Sequence, residues 1–208
     1  MAIHQTADLQ RRVDWPAAPP RVKVDHAVID VMSARLREDD VAGAFDVLTR
    51  ACFRATTPER IERTLAQRAR VPHRRLVAEL LADRRTGACS VLERGYLHRV
   101  ERAHGLPPGR RQRHSTATGG RTDQDVRYEE YGVVVEPDGR VVHDHPGAWD
   151  ADARRDLAEL AVADAVTARV TYGLVFREQC ATAGWIGQIL RRNGWRGTLL
   201  RCPRCPAR

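Results

Sequence analysis

The spacing of apolar residues divides the chain into a helical first half and a mixed second half. From Val24 onward, apolar side chains recur at three- and four-residue steps. Val28, Val31, Met32 and Leu36 mark one amphipathic helix, and Val41, Phe45, Leu48 and Cys52 mark a second. Thr56-Thr57-Pro58-Glu59 is a helix start, with a threonine cap, a proline in the first turn and an acid against the dipole. It opens a third helix carrying Ile61, Leu65 and Ala69. A fourth is predicted over 73–84 with Leu76, Leu80 and Leu81 inward, ended by Gly87. A fifth starts at Ser90, presents Val91, Leu92, Leu97 and Val100, and stops at Gly105-Leu106-Pro107-Pro108. Residues 1–22 are polar and Pro-rich without a sustained period, and read as a leader or linker.

Beyond Gly109 the period shortens. Residues 110–114 predict a short strand, 115–122 a flexible turn, and 125–128, 133–136 and 140–143 β-branched runs joined by tight turns. A helix follows over 148–163 with Leu157, Leu160 and Ala161 as its expected buried stripe, then a strand over 166–172 and a last helix over 178–192. The order, helices and then β-β-β-α-β-α, predicts an α/β (α+β) chain. A helical segment (23–85) precedes a domain (86–200) with a small mixed sheet flanked by helices, and residues 201–208 form a tail.

Composition narrows the classes. The chain has 208 residues, 42% apolar and 30% charged, a globular balance with enough chain for a core. No apolar run approaches the ~20 residues of a membrane span, and the N-terminus lacks the apolar stretch of a signal peptide, which excludes membrane and secreted classes. Five cysteines do not make a disulfide framework and fit a reducing cytoplasm. Cys202 and Cys205 form a C-x-x-C near the end of the chain. Without a second such pair it reads as a reduced tail rather than a zinc site, and only Cys180 or a histidine stands ready to complete four ligands. The net charge is +8, and Lys23 is the only lysine among 35 cations. The arginine skew fits a GC-rich coding bias, while the net charge favours a polyanionic partner, because arginine pairs with phosphate through a planar fork.

The candidate chemistry is acidic. Asp125 begins one strand and Glu136 ends the next, so a hairpin sets them side by side, where two carboxylates hold a divalent cation that activates water on a phosphodiester. Asp138 follows two residues later and shares that face if the strand continues; in Pro137-Asp138-Gly139 it is equally a turn residue. His143 is a proton carrier or part of a solvated loop. Glu93 stands at capping-box spacing from Ser90, and caps its helix, serves the site, or both.

The segments GACSVLERGYLHRVERAHGLPPGRRQRH, DVRYEEYGVVVEPDGRVVH, DADARRD and VTARVTYG resemble a family common in actinobacteria. Its C-terminal part is a Vsr-like (very short patch repair) endonuclease domain of the PD-(D/E)XK superfamily. Many relatives carry an upstream winged helix like that of AbiEi-type antitoxins, which this chain is expected to lack. The resemblance covers roughly residues 86–205 and, more loosely, the helical region before it. It implies a restriction-endonuclease-like core and Mg²⁺- or Mn²⁺-dependent cleavage of DNA. Glu93, Asp125, Glu136, Asp138 and His143 would be the catalytic group, with Asp125 and Glu136 as metal ligands. Arg127, Arg140, Arg154 and Arg155 would contact DNA. Asp152 and Asp156 fall on the family's D-x-x-R-D helix. Three departures stand out: Asp138 occupies the place of the superfamily's lysine, Pro137 replaces an apolar residue, and the glycine before the last strand is missing from AVADAVTARV. The alternative reading is a catalytically inactive DNA-binding or toxin–antitoxin-type regulatory protein on a nuclease fold.

Overall fold

The computed structural model describes residues 8–139 and 146–206. The predicted strand over 140–143, with Arg140 and His143, lies outside them. The chain forms two compact units, Met1–Thr86 and Gly87–Arg208. Among the described residues, no helix is long and apolar enough to cross a membrane.

The first unit is helical. A turn of helix, α1 (Leu9–Arg12), runs into a small antiparallel hairpin of β1 (Val13–Asp14) and β2 (Arg21–Val22), so residues expected to be a linker have regular structure. Two-residue strands leave no alternation for a sequence pattern to reveal. Four helices follow: α2 (Val24–Arg37), α3 (Val41–Arg54), α4 (Pro58–Gln67) and α5 (Arg74–Thr86). Asp40 caps α3 by accepting from the Gly43 amide at 2.9 Å, and Thr57 caps α4 ahead of Pro58. Ile29, Met32, Leu48, Ile61, Leu80 and Leu81 make the core. In α5 Val77 is buried, and Leu76 only half so.

The second unit opens with a continuous helical rod. It consists of α6 (Ser90–Gly95), a π-helical segment over Tyr96–Glu101 and a 3₁₀ turn over Arg102–His104. Four strands follow, β3 (Arg110–Ser115), β4 (Thr122–Tyr128), β5 (Val133–Pro137) and β6 (Val166–Val170), in the spatial order β3-β4-β5-β6. The first two pairings are antiparallel and β5–β6 is parallel, which requires the crossover helix α7 (Pro146–Ala163). Two further helices, α8 (Tyr172–Phe176) and α9 (Gln179–Arg192), complete the unit, an α/β arrangement with a small mixed sheet. Two tight places frame β5 and β6. Gly132, at φ 56, leaves no room for a Cβ, which would lie 2.7 Å from the Asp164 carbonyl oxygen. Asp164 itself adopts φ 48, so an aspartate makes the left-handed turn before β6 in place of the missing glycine.

The two sheet faces differ sharply. On one, Val126 and Tyr128 pack toward the rod, where the Tyr128 hydroxyl lies 2.9 Å from that of Tyr96 and donates to Glu101 at 3.0 Å. On the other lies α7, turned opposite to the expectation. Leu157, Leu160 and Val162 are 67%, 51% and 71% exposed and Ala161 is exposed too, whereas Asp152 and Glu159 are only 7% and 3% exposed. The predicted buried stripe is thus the outer face. Asp152, Arg155, Asp156 and Glu159, spaced i, i+3, i+4, i+7, form the inward stripe because that sheet face presents charges to pair with.

Candidate functional site

Strand register builds the charged face. Val126 pairs with Val135 across β4 and β5, which sets Asp125 opposite Glu136, and Glu136 pairs with Arg169 on β6. Side chains alternate along strands, so Asp125, Glu136 and Arg169 form one row beneath α7. Arg169 is the hub. Its Nε and Nη2 donate to the two carboxylate oxygens of Asp156 at 3.1 and 2.9 Å. Its Nη1 lies 3.6 Å from Glu136, 3.7 Å from Asp152 and 3.9 Å from Asp138. Arg155, also on α7, pairs with Asp152.

The electrostatics follow from crowding and burial. Desolvation raises the pKa of Glu136, against the attraction of Arg169 and Arg155, and the charges of Asp125 and Asp156 raise it further. Desolvation likewise raises Asp125, opposed by Arg155. Two half-buried carboxylates that resist ionisation, served by two guanidiniums shared with other acids, are a setting that favours additional positive charge.

Other expected residues sort differently. The Asp138 amide donates to the Val170 carbonyl at 2.8 Å, which carries the β5–β6 pairing past Pro137 and brings the Asp138 carboxylate to Arg169. Ser90 is already helical and the N-cap residue, Cys89, makes no side-chain cap, so Ser90 and Glu93 do not form a capping box. The first turn of α6 abuts the end of β5: a Cβ on Gly139 would lie 3.0 Å from the Cys89 sulfur. Arg127 donates to Gln124 at 2.8 Å and to the buried Glu159 at 3.4 Å, and its half-buried side chain also lines the groove along the β3–β4 hairpin. Arg154 is exposed. His143 and Arg140 lie outside the described residues. Sequence reasoning missed Arg169, whose only signal is its alternate position in Thr167-Ala168-Arg169-Val170.

The cysteine tail is not frayed. Cys202 and Cys205 fold back to meet Cys180 from α9 and His104 from the 3₁₀ turn, and the four candidate ligand atoms all lie within 4.8 Å of one another. This group is capable of holding a metal ion, which corrects the reading of the C-x-x-C as a reduced tail alone. Burial, with hydrogen bonds to its thiol neighbours, pushes the Cys180 thiol up to about 12.

The second unit is an α/β arrangement with a layer of paired charges between a mixed sheet and its crossover helix, and a separate sulfur-rich cluster. Comparison of the chain with protein-family models, curated proteins and solved structures finds no match.

Proposed function

We propose that residues 87–208 act in the cytoplasm as a metal-dependent DNA endonuclease of the Vsr-like PD-(D/E)XK type. The observation that carries the reading is the row Asp125–Glu136–Arg169 across adjacent strands, covered by Asp152, Arg155 and Asp156 of α7. Asp125 and Glu136 come from antiparallel neighbours and are both made reluctant to ionise by burial, so a divalent cation relieves them. Their all-oxygen donor set suits Mg²⁺ or Mn²⁺. A cation bound there supplies Lewis acidity toward the phosphodiester and lowers the pKa of water. Arg155 and Arg169 draw the phosphate oxygens to the same face through charge-assisted hydrogen bonds. Asp138 completes the acidic edge, Glu93 orients the attacking water from the helix beside β5, and His143 carries the proton. The exposed Arg154 and the β3–β4 hairpin supply phosphate contacts. Arg113 and His114 of that hairpin line an open groove of about 440 Å³.

A second reading, a catalytically inactive DNA-binding or regulatory protein, is favoured by one feature. Arg169 already neutralises Glu136 and Asp138, and among the described residues the acids form no group of three with ligand atoms mutually within 4.8 Å. Incubating the full chain with supercoiled plasmid and Mg²⁺ or Mn²⁺ separates the two. In Asp125→Ala and Glu136→Gln nicking should fall by more than the ~10–100-fold that loss of a partner behind a metal ligand costs, because each removes a ligand itself, with the far-UV spectrum unchanged. Undiminished nicking by Glu136→Gln overturns the assignment. Salt-sensitive DNA binding without cleavage by the unchanged chain establishes the second reading.

A further inference from the structure

We propose that His104, Cys180, Cys202 and Cys205 bind one structural zinc(II) ion that fastens the C-terminal tail to the helical rod and to α9. The site is separate from the charged face beneath α7 and does not depend on its chemistry.

The first argument is geometric. The Cys180 and Cys202 sulfurs are 3.5 Å apart, Cys202 and Cys205 3.9 Å, and the Cys205 sulfur lies 3.7 Å from His104 Nε2. A tetrahedral zinc with bonds of about 2.3 Å to sulfur and about 2.0 Å to nitrogen sets its ligands about 3.5–3.8 Å apart. The four donors therefore already stand near the corners of one tetrahedron. These sulfurs are far beyond the ~2.05 Å of a disulfide. Mutual distances all below 4.8 Å also fit a single ion better than a two-iron cluster, which splits its ligands between two metals.

The second argument is the histidine. His104 is 3% exposed, and its Nδ1 lies 3.0 Å from the Val100 carbonyl, to which it donates a proton. That hydrogen bond leaves the Nε2 lone pair facing the sulfurs. A backbone carbonyl that fixes the imidazole tautomer in this way is the usual support behind a histidine that ligates a metal.

The third argument is the tail. In Cys202-Pro203-Arg204-Cys205, the Cys205 amide donates to the Cys202 carbonyl at 3.0 Å, a tight turn that turns both sulfurs the same way. Residues 195–206 belong to no helix or strand. Trp195 is buried, but none of residues 196–206 is fully so; the Leu200 amide bonds the His104 carbonyl at 2.9 Å, and Leu199 and Leu200 pack over Gly187 and Gly105. A segment this poor in core gains its order from a crosslink. Three soft thiolates and an imidazole select zinc over the hard cations suited to the acidic row beneath α7. All four positions are filled by protein, which makes the site structural, with no place for a substrate.

Metal analysis of the full chain, purified without chelator or immobilised metal, tests the assignment, and one zinc per chain is expected. Cobalt(II) in its place should give the visible absorption of a tetrahedral thiolate complex. His104→Cys preserves four ligands and should keep its zinc. His104→Ala and Cys205→Ser should weaken zinc binding by more than the ~10–100-fold that loss of a supporting second partner costs. If those variants do not fold, the unchanged chain still decides the question. A thiol reagent should reach Cys180, Cys202 and Cys205 only after a chelator removes the metal, with the tail becoming open to protease in the same step. A folded chain without zinc that takes none up, iron in the metal analysis, or a Cys180–Cys202 disulfide in the fresh protein would each overturn the proposal.

Discussion

Arg169→Met asks whether one guanidinium organises the charged face. Methionine keeps most of the stem and removes the charge. The lost partners are Asp156 at 2.9 and 3.1 Å and Glu136, Asp152 and Asp138 at 3.6, 3.7 and 3.9 Å. Removing one member of a fully buried ion pair costs about 3–5 kcal/mol, because a charge is left uncompensated. Solvent reaches 25% of the Arg169 side chain and 34% of Asp156, so screening reduces the expected cost. It should be about 2 kcal/mol, a fall of about 6–10 °C in melting temperature for a unit of this size. Thermal melts followed by circular dichroism in EDTA measure it. A second arm uses the cation. Four carboxylates without their guanidinium attract a divalent ion more strongly, and a ligand at a hundred times its Kd adds about 2.7 kcal/mol. Millimolar Mg²⁺ should then return the variant to the wild-type melting temperature while moving the wild type less. A variant that melts with the wild type in EDTA refutes the hub. One that is destabilised but unmoved by Mg²⁺ and Mn²⁺ removes this face as a cation site.

Three further perturbations probe the same unit. Burial holds Asp125 above the ordinary carboxylate range against the pull of Arg155. Such an acid contributes stability that is complete below its unfolded pKa of ~4 and lost as pH rises through its folded value. Asp125→Asn should therefore melt above the wild type at pH 8 in EDTA and converge with it near pH ~4; equal melting at pH 8 contradicts this. Tyr128→Phe removes the donor that Glu101 accepts at 3.0 Å and the hydroxyl 2.9 Å from that of Tyr96. It should lower stability by about 1–3 kcal/mol in a urea titration, the cost of taking away the buried Tyr96 hydroxyl's partner, while Glu101 keeps Arg111 at 3.0 Å and the Gly109 amide at 3.3 Å; an unchanged midpoint would show that the network contributes nothing. Glu159→Ala removes the carboxylate that Arg127 faces, leaving it the Gln124 bond at 2.8 Å, and should cost about 2 kcal/mol, whereas Leu157→Lys on the outer face of α7 should stay within about 0.5 kcal/mol. The reverse ranking would restore the aliphatic stripe as the buried one.

Where aliphatic residues alone meet a core, the sequence was a good guide. The periods through Met32, Leu48, Ile61 and Leu80 coincide with the buried side of α2 to α5, and the β-branched run Val133-Val134-Val135 is a fully buried part of strand β5. The failures share a cause, which is that polar residues were interior for reasons located elsewhere in the chain. In α7, periodicity offers two stripes, and hydrophobicity chose the aliphatic one. Only the register of β4, β5 and β6 reveals that the facing row carries Asp125, Glu136 and Arg169 and needs a charged partner. The sulfur cluster failed similarly. Cys202 and Cys205 announce half a site, but Cys180 lies 22 residues before Cys202 and His104 lies 101 before Cys205, separations no local pattern spans. His104 also sits just past a π-helical segment, where one extra residue per turn shifts every later side chain relative to an ideal α-helical count.

That segment connects the end of β5, beside the acidic row, to the sulfur cluster. The rod of α6, π turn and 3₁₀ turn is held at three levels. Its first turn lies against Gly139 at the end of β5, its middle is bonded through Tyr96 and Glu101 to Tyr128 on β4, and its last residue, His104, belongs to the cluster. At the 100° per residue of an α-helix Tyr96, Val100 and His104, spaced i, i+4, i+8, fall on one face, with Glu101 at its edge. The π turn widens the helix locally, and all four side chains are buried. The register of the rod is thereby fixed from both ends, by sheet packing on one side and by the cluster on the other. Glu93 lies on this rod, one turn after Cys89. Its position relative to the acidic row therefore depends on the rod not sliding or rotating. A metal at the far end that immobilises His104 would preserve that position without contacting the acidic row.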